Sequence, residues 1–134
     1  MGYTLLDGTR GSMGALRGKV VLVNFWATSC APCIRHMPSL VTLHKTFRTR
    51  AFDILAVAMR YDAPARVADF AESRQLPFGV VIDNTGALAA GFGGVQVTPT
   101  HVLVDRRGIL AGRWAGRPDF GALHARVEQL LRAA

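Results

Sequence analysis

Residues 24–38, NFWATSCAPCIRHMP, contain both cysteines of the chain, Cys30 and Cys33. Two thiols separated by only two residues suit a structural disulfide, part of a metal site or a redox-active pair. The β-branched apolar run at 19–25 (KVVLVNF) comes directly before them and predicts a strand buried on both faces of a sheet. Apolar residues at helical spacing follow over 31–48. The cysteines are therefore expected at the junction between a strand and a helix.

A purely structural disulfide is the weakest of these interpretations. The chain has 134 residues, of which 50% are hydrophobic, enough to bury one core and too few for two ordinary domains. We therefore expect a single domain over residues 1–134. A bridge across two residues also closes so small a loop that it removes little entropy from the unfolded chain.

A redox pair follows from the expected helix start. Pro32 suits the first turn of a helix, because its missing N–H has no partner there, so the helix should begin near Cys30 or Ala31. Cys30 then lies at the positive end of the helix dipole, which lowers a thiol pKa from about 8.5 towards the reactive range. Cys33, one turn later, is placed to attack a mixed disulfide formed on Cys30.

A metal site is the first alternative. Cys30, Cys33 and His36 recur every third residue, and two thiolates with an imidazole bind copper or zinc. A fourth ligand would have to come from a distant histidine. The candidates are His44, His101 and His124. A copper-binding or copper-delivery module therefore stays open, although His36 by itself suggests no role.

Charge and hydropathy exclude other classes. The 16 Lys and Arg against 9 Asp and Glu give a net charge of +7, but the arginines are scattered along the chain, which disfavours a nucleic-acid site. No run of 18 apolar residues is present, and the N-terminal sequence does not have the order of a signal peptide. We expect a soluble monomer that meets a membrane only through an N-terminal anchor missing from this sequence.

The remaining pattern alternates strands and helices. Strands are predicted at 19–25, 52–59 and 100–105, with a hairpin partner at 109–116, and helices at 31–48, 64–74 and 119–132. This order predicts an α/β fold with a parallel part and an antiparallel hairpin at the end.

Two segments carry a resemblance to a known family. Residues 18–38, GKVVLVNFWATSCAPCIRHMP, resemble the active-site segment of the thioredoxin superfamily, and VLVNFWAT is most similar to its TlpA/ResA-like branch. Residues 97–116, VTPTHVLVDRRGILAGRWAG, resemble the segment that carries the family's cis-proline, here Pro99. The resemblance implies a thioredoxin-like fold, with a central mixed β-sheet flanked by helices. It also implies that the Thr98 backbone docks an extended substrate. Trp26, at the end of the predicted strand, is expected to shield the active site and to contact the substrate.

The sequence departs from the family pattern at several positions. Ser29 replaces the Trp that usually precedes the first cysteine, and Asn24 stands where thioredoxin itself has a buried acid. His36 replaces an acid that is common three residues after the second cysteine. The best match to an acid after the second main strand is Asp62, which either passes a proton to Cys33 or caps a helix.

The resemblance implies a thiol-disulfide oxidoreductase, more often a reductase, that needs no cofactor because the disulfide carries the electrons. Its partners would be protein disulfides or thiols and an upstream thiol reductant. Typical work of the branch is cytochrome c maturation or metallochaperone reduction in the periplasm; a chain that is not exported would be cytoplasmic. The candidate site residues are Cys30, Cys33, Asp62, Thr98, Pro99 and Trp26.

A peroxiredoxin-like peroxide reductase is the second alternative, since it shares the fold. Its reactive cysteine follows a Pro-x-x-x-Thr-x-x-Cys pattern. Val23 and Ala27 occupy the Pro and Thr positions relative to Cys30, which disfavours this chemistry.

Overall fold

A five-stranded mixed sheet with helices on both faces forms the body of the protein. The structure, a computed structural model, describes residues 1–133. The strands are β1 (Gly2–Thr4), β2 (Arg10–Ser12), β3 (Val20–Trp26), β4 (Phe52–Ala58), β5 (Gly79–Ile82), β6 (Thr100–Val104) and β7 (Leu110–Ala115). The helices are α1 (Ala31–Phe47), α2 (Pro64–Ser73), α3 (Ala87–Gly91) and α4 (Phe120–Arg132), with one 3-10 turn at Gly14–Leu16.

The sheet has the order β5-β4-β3-β6-β7. Strands β3, β4 and β5 run parallel, whereas β6 is antiparallel to β3 and β7 is antiparallel to β6. Every residue of the central strand β3 is buried, as its continuous apolar sequence predicts. The predicted thioredoxin-like α/β architecture is confirmed.

Alternate residues of the central strands build two separate core layers. Side chains on one face pack against α1, α2 and α4. Examples are Leu22, Trp26, Met37, Leu40, Val67, Leu103, Leu123 and Val127. Those on the other face pack against α3 and the N-terminal β1–β2 hairpin. This second layer includes Val21, Val23, Phe25, Leu88, Val102, Tyr3 and Leu5.

The topology brings three loops together at one end of the central strands, called the site edge of the sheet below. The parallel strands β3 and β4 end at this edge, and the antiparallel strand β6 begins there, with Thr100 opposite Phe25. The segments that hold Cys30, Asp62 and Pro99 therefore all leave the sheet at the same place. This edge carries the candidate site.

Several short elements were absent from the sequence-based prediction. They are the β1–β2 hairpin, the four-residue strand β5 and the five-residue helix α3. Elements of this length contain too few residues for an apolar period to be visible. They are positioned by tertiary contacts, such as the bridge between Leu5 and Val81 beside β5.

Helix α1 spans 17 residues and contains Pro38 in its interior. Among residues 1–133, no helix combines the length and the apolar character needed to cross a membrane.

One histidine is fully buried in the sheet. His101 of β6 has 0% exposure, and its two ring nitrogens make no hydrogen bond within the described part of the chain. Burial, followed by the charge that His36 carries when protonated, lowers the pKa of His101 from 6.5 to about 4. The imidazole is therefore neutral at pH 7, the form that a buried site tolerates.

We predict that this histidine makes folding stability depend on pH. The unfolded chain protonates His101 near pH 6.5 and the folded protein only near pH 4. Between these values the unfolded state binds more protons, so the free energy of unfolding falls as pH is lowered, by about 3 kcal/mol for this group. His101→Leu should remove this loss. Guanidinium unfolding of both proteins near pH 4 and at neutral pH measures their free energies of unfolding. If the difference between variant and wild type were the same at both pH values, the prediction would be contradicted.

Candidate active site

Cys30 and Cys33 form a disulfide at the start of α1, with Cα atoms 5.3 Å apart. Cys30 is the N-cap residue, in an extended conformation, and Pro32 lies in the first turn as predicted. The Cys33 backbone N–H donates a hydrogen bond to Cys30 Sγ over 3.3 Å. The sulfur of Cys30 therefore occupies the place of an N-cap oxygen, where free N–H groups and the helix dipole stabilise negative charge.

The two sulfurs differ in access to solvent. Cys30 is half-buried beside the exposed Ser29, whereas Cys33 is only 2% exposed and belongs to the hydrophobic core. An incoming thiolate or disulfide can therefore reach Cys30 and not Cys33. This asymmetry is the one that the two roles, nucleophile and resolving thiol, require.

Asp62 holds the loop that precedes the disulfide. Its buried carboxylate accepts hydrogen bonds from the Thr28 backbone N–H and hydroxyl, each over 2.6 Å, and from the Ala63 N–H over 2.9 Å. The N-cap of α2 is Ala63, without a side-chain bond, so Asp62 does not cap that helix. Its carboxylate instead joins the loop after β4 to the loop after β3.

Thr98 and Pro99 enter the same edge from β6. The peptide bond between them is cis, Pro99 is buried and Thr98 is half-buried. The segment is fixed by backbone bonding, because the Gly116 N–H donates to the Pro99 carbonyl over 2.7 Å. The Thr100 hydroxyl also donates to the Val97 carbonyl over 2.6 Å.

Trp26, which the sequence analysis placed beside the site, lies inside the core. Its side chain has 0% exposure and packs against the ring of Phe70 on α2, with centroids 5.2 Å apart. The residue points into the core layer below α1 and offers no surface to a partner.

The sequence analysis considered Asn24, His36 and His101 one at a time and did not predict that all three are buried. Asn24 of β3 lies opposite His101 of β6, and both are fully or almost fully buried. His36, on α1, is 7% exposed and packs edge-on against Phe120. Burial and the charges of Arg117 and Arg35 lower the pKa of His36. A histidine inside an otherwise apolar five-residue strand was the signal for this group in the sequence.

Three exposed arginines lie on segments that carry or adjoin the site residues. Arg35, Arg60 and Arg117 are exposed, and none forms an ion pair with a described residue. Arg35 lies two residues beyond Cys33, and Arg60 lies two residues before Asp62. The charges of Arg35 and Arg117 also act on His36 and lower its pKa.

The structure offers the copper interpretation no support. Within residues 1–133, no group of three or more His, Cys, Asp or Glu residues is arranged to hold a metal ion. His44, which the sequence analysis considered as a fourth ligand, lies near the other end of α1, and its Nε2 is 3.4 Å from Asp53.

Comparison with known proteins places this site in a family. The sequence model of the AhpC/TSA family matches residues 3–113. The thiol-disulfide oxidoreductase ResA of Geobacillus thermodenitrificans is 36% identical over 103 residues, which cover 77% of this chain and 58% of that protein. ResA of Bacillus cereus is 32% identical over 127 residues, or 95% of this chain and 72% of that protein. The chain thus spans about 60% of the length of the first of these relatives.

The solved structures agree. A candidate thioredoxin from Neisseria meningitidis superposes with a TM-score of 0.93 at 34% sequence identity, over 100% of this chain and 89% of the other. With the disulfide at the helix start and the mixed sheet beneath it, the chain belongs to the AhpC/TSA family of thioredoxin-like proteins.

Proposed function

We propose that this chain is a thiol-disulfide oxidoreductase that exchanges electrons with protein disulfides through Cys30 and Cys33, and that it acts as a reductase. The observation that carries the proposal is the asymmetric disulfide at the N-terminus of α1, with Cys30 accessible and Cys33 buried. Relatives that are named thiol-disulfide oxidoreductases support it.

The first step uses the Cys30 thiolate of the reduced protein. It attacks one sulfur of a substrate disulfide, the substrate S–S bond breaks, and the departing sulfur leaves as a thiolate that takes a proton from solvent. The Cys33 N–H and the helix dipole favour the thiolate of Cys30 before the attack. The product is a mixed disulfide between Cys30 and the substrate.

The second step uses Cys33. Its thiol loses a proton and attacks Cys30 Sγ, which breaks the mixed disulfide and releases the second substrate thiolate. The substrate has gained two electrons, and the protein is left with the Cys30–Cys33 disulfide seen in the structure. A dithiol reductant restores the reduced form by the reverse exchange. The balance is complete without a cofactor.

The neighbouring loops are assigned to positioning. We assign Thr98 and Pro99 to docking the substrate as an added strand, because they enter at the edge where Cys30 is accessible. Asp62 holds Thr28, and through it the loop that carries Cys30, since all three of its hydrogen bonds are to backbone or hydroxyl donors of these loops. This positioning role takes the place of the proton shuttle suggested by the sequence.

The charge of the surface and the family resemblance indicate which proteins are substrates and where the reaction takes place. Arg35 and Arg60, exposed on the segments that carry Cys33 and Asp62, favour protein substrates with acidic residues beside their disulfide. We place the reaction in the periplasm, with cytochrome c maturation or metallochaperone reduction as its work, on the strength of the TlpA/ResA-like resemblance. We propose that the protein acts as a monomer.

We predict that Cys33→Ser traps mixed disulfides through Cys30, because the resolving thiol is lost while the accessible nucleophile remains. Cys30→Ser should leave the protein nearly inert in the reduction of insulin by dithiothreitol, since Cys33 is buried. Non-reducing gels and mass spectrometry after exposure to oxidised insulin make the comparison. If Cys30→Ser formed mixed disulfides with insulin as fast as Cys33→Ser does, the assignment of Cys30 as the nucleophile would be contradicted.

We predict that Asp62→Asn lowers kcat/KM for insulin reduction and destabilises the protein by about 1–3 kcal/mol, the cost of weakening buried hydrogen bonds to a charged group. The shape of the pH profile should be unchanged, because the residue positions a loop. Asp69→Asn on the exposed face of α2 is the matched control. A flattened pH profile at wild-type stability would instead establish the proton shuttle.

A further inference from the structure

Two histidines behind the buried cysteine have no task in the reaction described so far. His36 Nδ1 and both ring nitrogens of His101 are buried and accept or donate no hydrogen bond within residues 1–133. An unpartnered polar group in a core costs free energy of folding. Two of them on the sheet face and helix face that also hold Cys33 point to a use.

The fold brings these imidazoles to the core side of Cys33. His36 follows Cys33 by three residues on α1, which places both buried side chains on one face of the helix. His101 shares its sheet face with Leu103, which packs in the same core layer as Cys33. The two imidazoles are close enough for the charge of one to act on the other.

Their surroundings keep both rings neutral at pH 7. The charges that act on them are those of Arg35 on α1, Arg117 before α4 and each other, and all of these are positive. The nearby side chains of Asn24 and Phe120 carry no charge. A neutral imidazole has one nitrogen with a free lone pair, so each ring can accept a proton.

The carboxylate of Asp62, at the same end of the sheet, already accepts hydrogen bonds from other residues. Both oxygens of Asp62 accept hydrogen bonds from Thr28, and one of them also bonds Ala63. Asn24, at the position of thioredoxin's buried acid in the family resemblance, takes up no proton near neutral pH. The histidines are the unoccupied proton acceptors on this side of the disulfide.

We propose that the His36–His101 pair accepts the proton of Cys33 in the resolving step. The Cys33 S–H bond breaks, its proton passes to an imidazole directly or through one water, and the resulting thiolate forms the S–S bond to Cys30 as the substrate thiolate leaves. The imidazolium then returns its proton to solvent through His36, the more exposed of the two rings. This inference rests on the proposed thiol-disulfide exchange.

The pair holds one proton at a time. Protonation of His36 opposes protonation of His101, and burial opposes the charge on either ring. An imidazolium formed beside Cys33 is therefore stabilised only while the new thiolate is present. Once the thiolate is consumed, the proton is lost readily, which prepares the site for the next turnover.

A two-phase reaction tests the proposal. The reduced protein is mixed with one equivalent of dithiobis(nitrobenzoate), so that attack by Cys30 releases one coloured thiolate and attack by Cys33 releases the second. We expect His36→Leu/His101→Leu to leave the first phase unchanged and to slow the second by roughly a hundredfold near neutral pH, the lower end of the range for general base catalysis. The difference should shrink at high pH, where solvent deprotonates Cys33.

Matched variants separate the outcomes. His44→Leu removes a buried imidazole at the other end of α1 and should leave both phases at the wild-type rate. Should the double leucine variant fail to fold, the double glutamine variant gives the same test, because an amide accepts no proton in this pH range. A second phase at the wild-type rate across the pH range in the double variant overturns the proposal. A wild-type protein that never releases the second thiolate overturns the proposed function instead.

A spectroscopic titration gives an independent readout. Proton–carbon NMR spectra of the imidazoles follow both rings with pH in the oxidised protein and in the reduced protein. We expect the imidazole signals of the reduced protein to show a further shift at high pH that the oxidised protein lacks, because the Cys33 thiol deprotonates there and its thiolate acts on the rings. Identical titration curves in the two redox states would overturn the proposal.

Discussion

The hydrogen bond from the Cys33 backbone N–H to Cys30 Sγ is the contact on which the site depends. It makes a sulfur the N-cap of α1, so the nucleophile is coupled to the helix dipole and to the strand β3 that precedes it. The same helix start buries Cys33 in the core one turn later. Access for one thiol and burial for the other thus have a single structural cause.

The burial of Cys33 creates the second requirement, a route for its proton. A thiol in an apolar core holds its proton more tightly than a thiol in water. This chain has Asn24 at the position where thioredoxin has a buried acid. The Asp62 carboxylate is hydrogen-bonded to Thr28 and Ala63 in the neighbouring loops. The two neutral histidines can supply the missing proton acceptor. The charges of Arg35 and Arg117 lower the pKa of His36, so the pair releases the proton again after the step.

The sequence predicted the parts of the fold that have strong patterns. The buried run before the cysteines, the long amphipathic helix after them and the closing hairpin appear within one or two residues of the predicted bounds. The Cys-x-x-Cys pair and Pro32 also indicated which cysteine lies at the helix start. These predictions succeeded because strand and helix periods, and proline at a helix start, are local properties.

The remaining features depend on contacts between distant segments. The bond from Asp62 to Thr28 spans 34 residues, and no pattern near either residue encodes it. Trp26 was expected beside the site because it ends a strand, yet Phe70 of α2 packs against it in the core. The influence of His36 on His101 depends on how α1 lies across the sheet, which only the packed structure shows.

The pH dependence of Cys30 alkylation in the reduced protein tests the central claim most directly. The rate of labelling by iodoacetamide, followed by mass spectrometry of the two cysteine peptides, reports the thiolate fraction of each sulfur. The account predicts that Cys30 is labelled first, with a midpoint well below the ordinary thiol pKa of about 8.5. Labelling of Cys33 before Cys30, or a midpoint at or above the ordinary value, would contradict it.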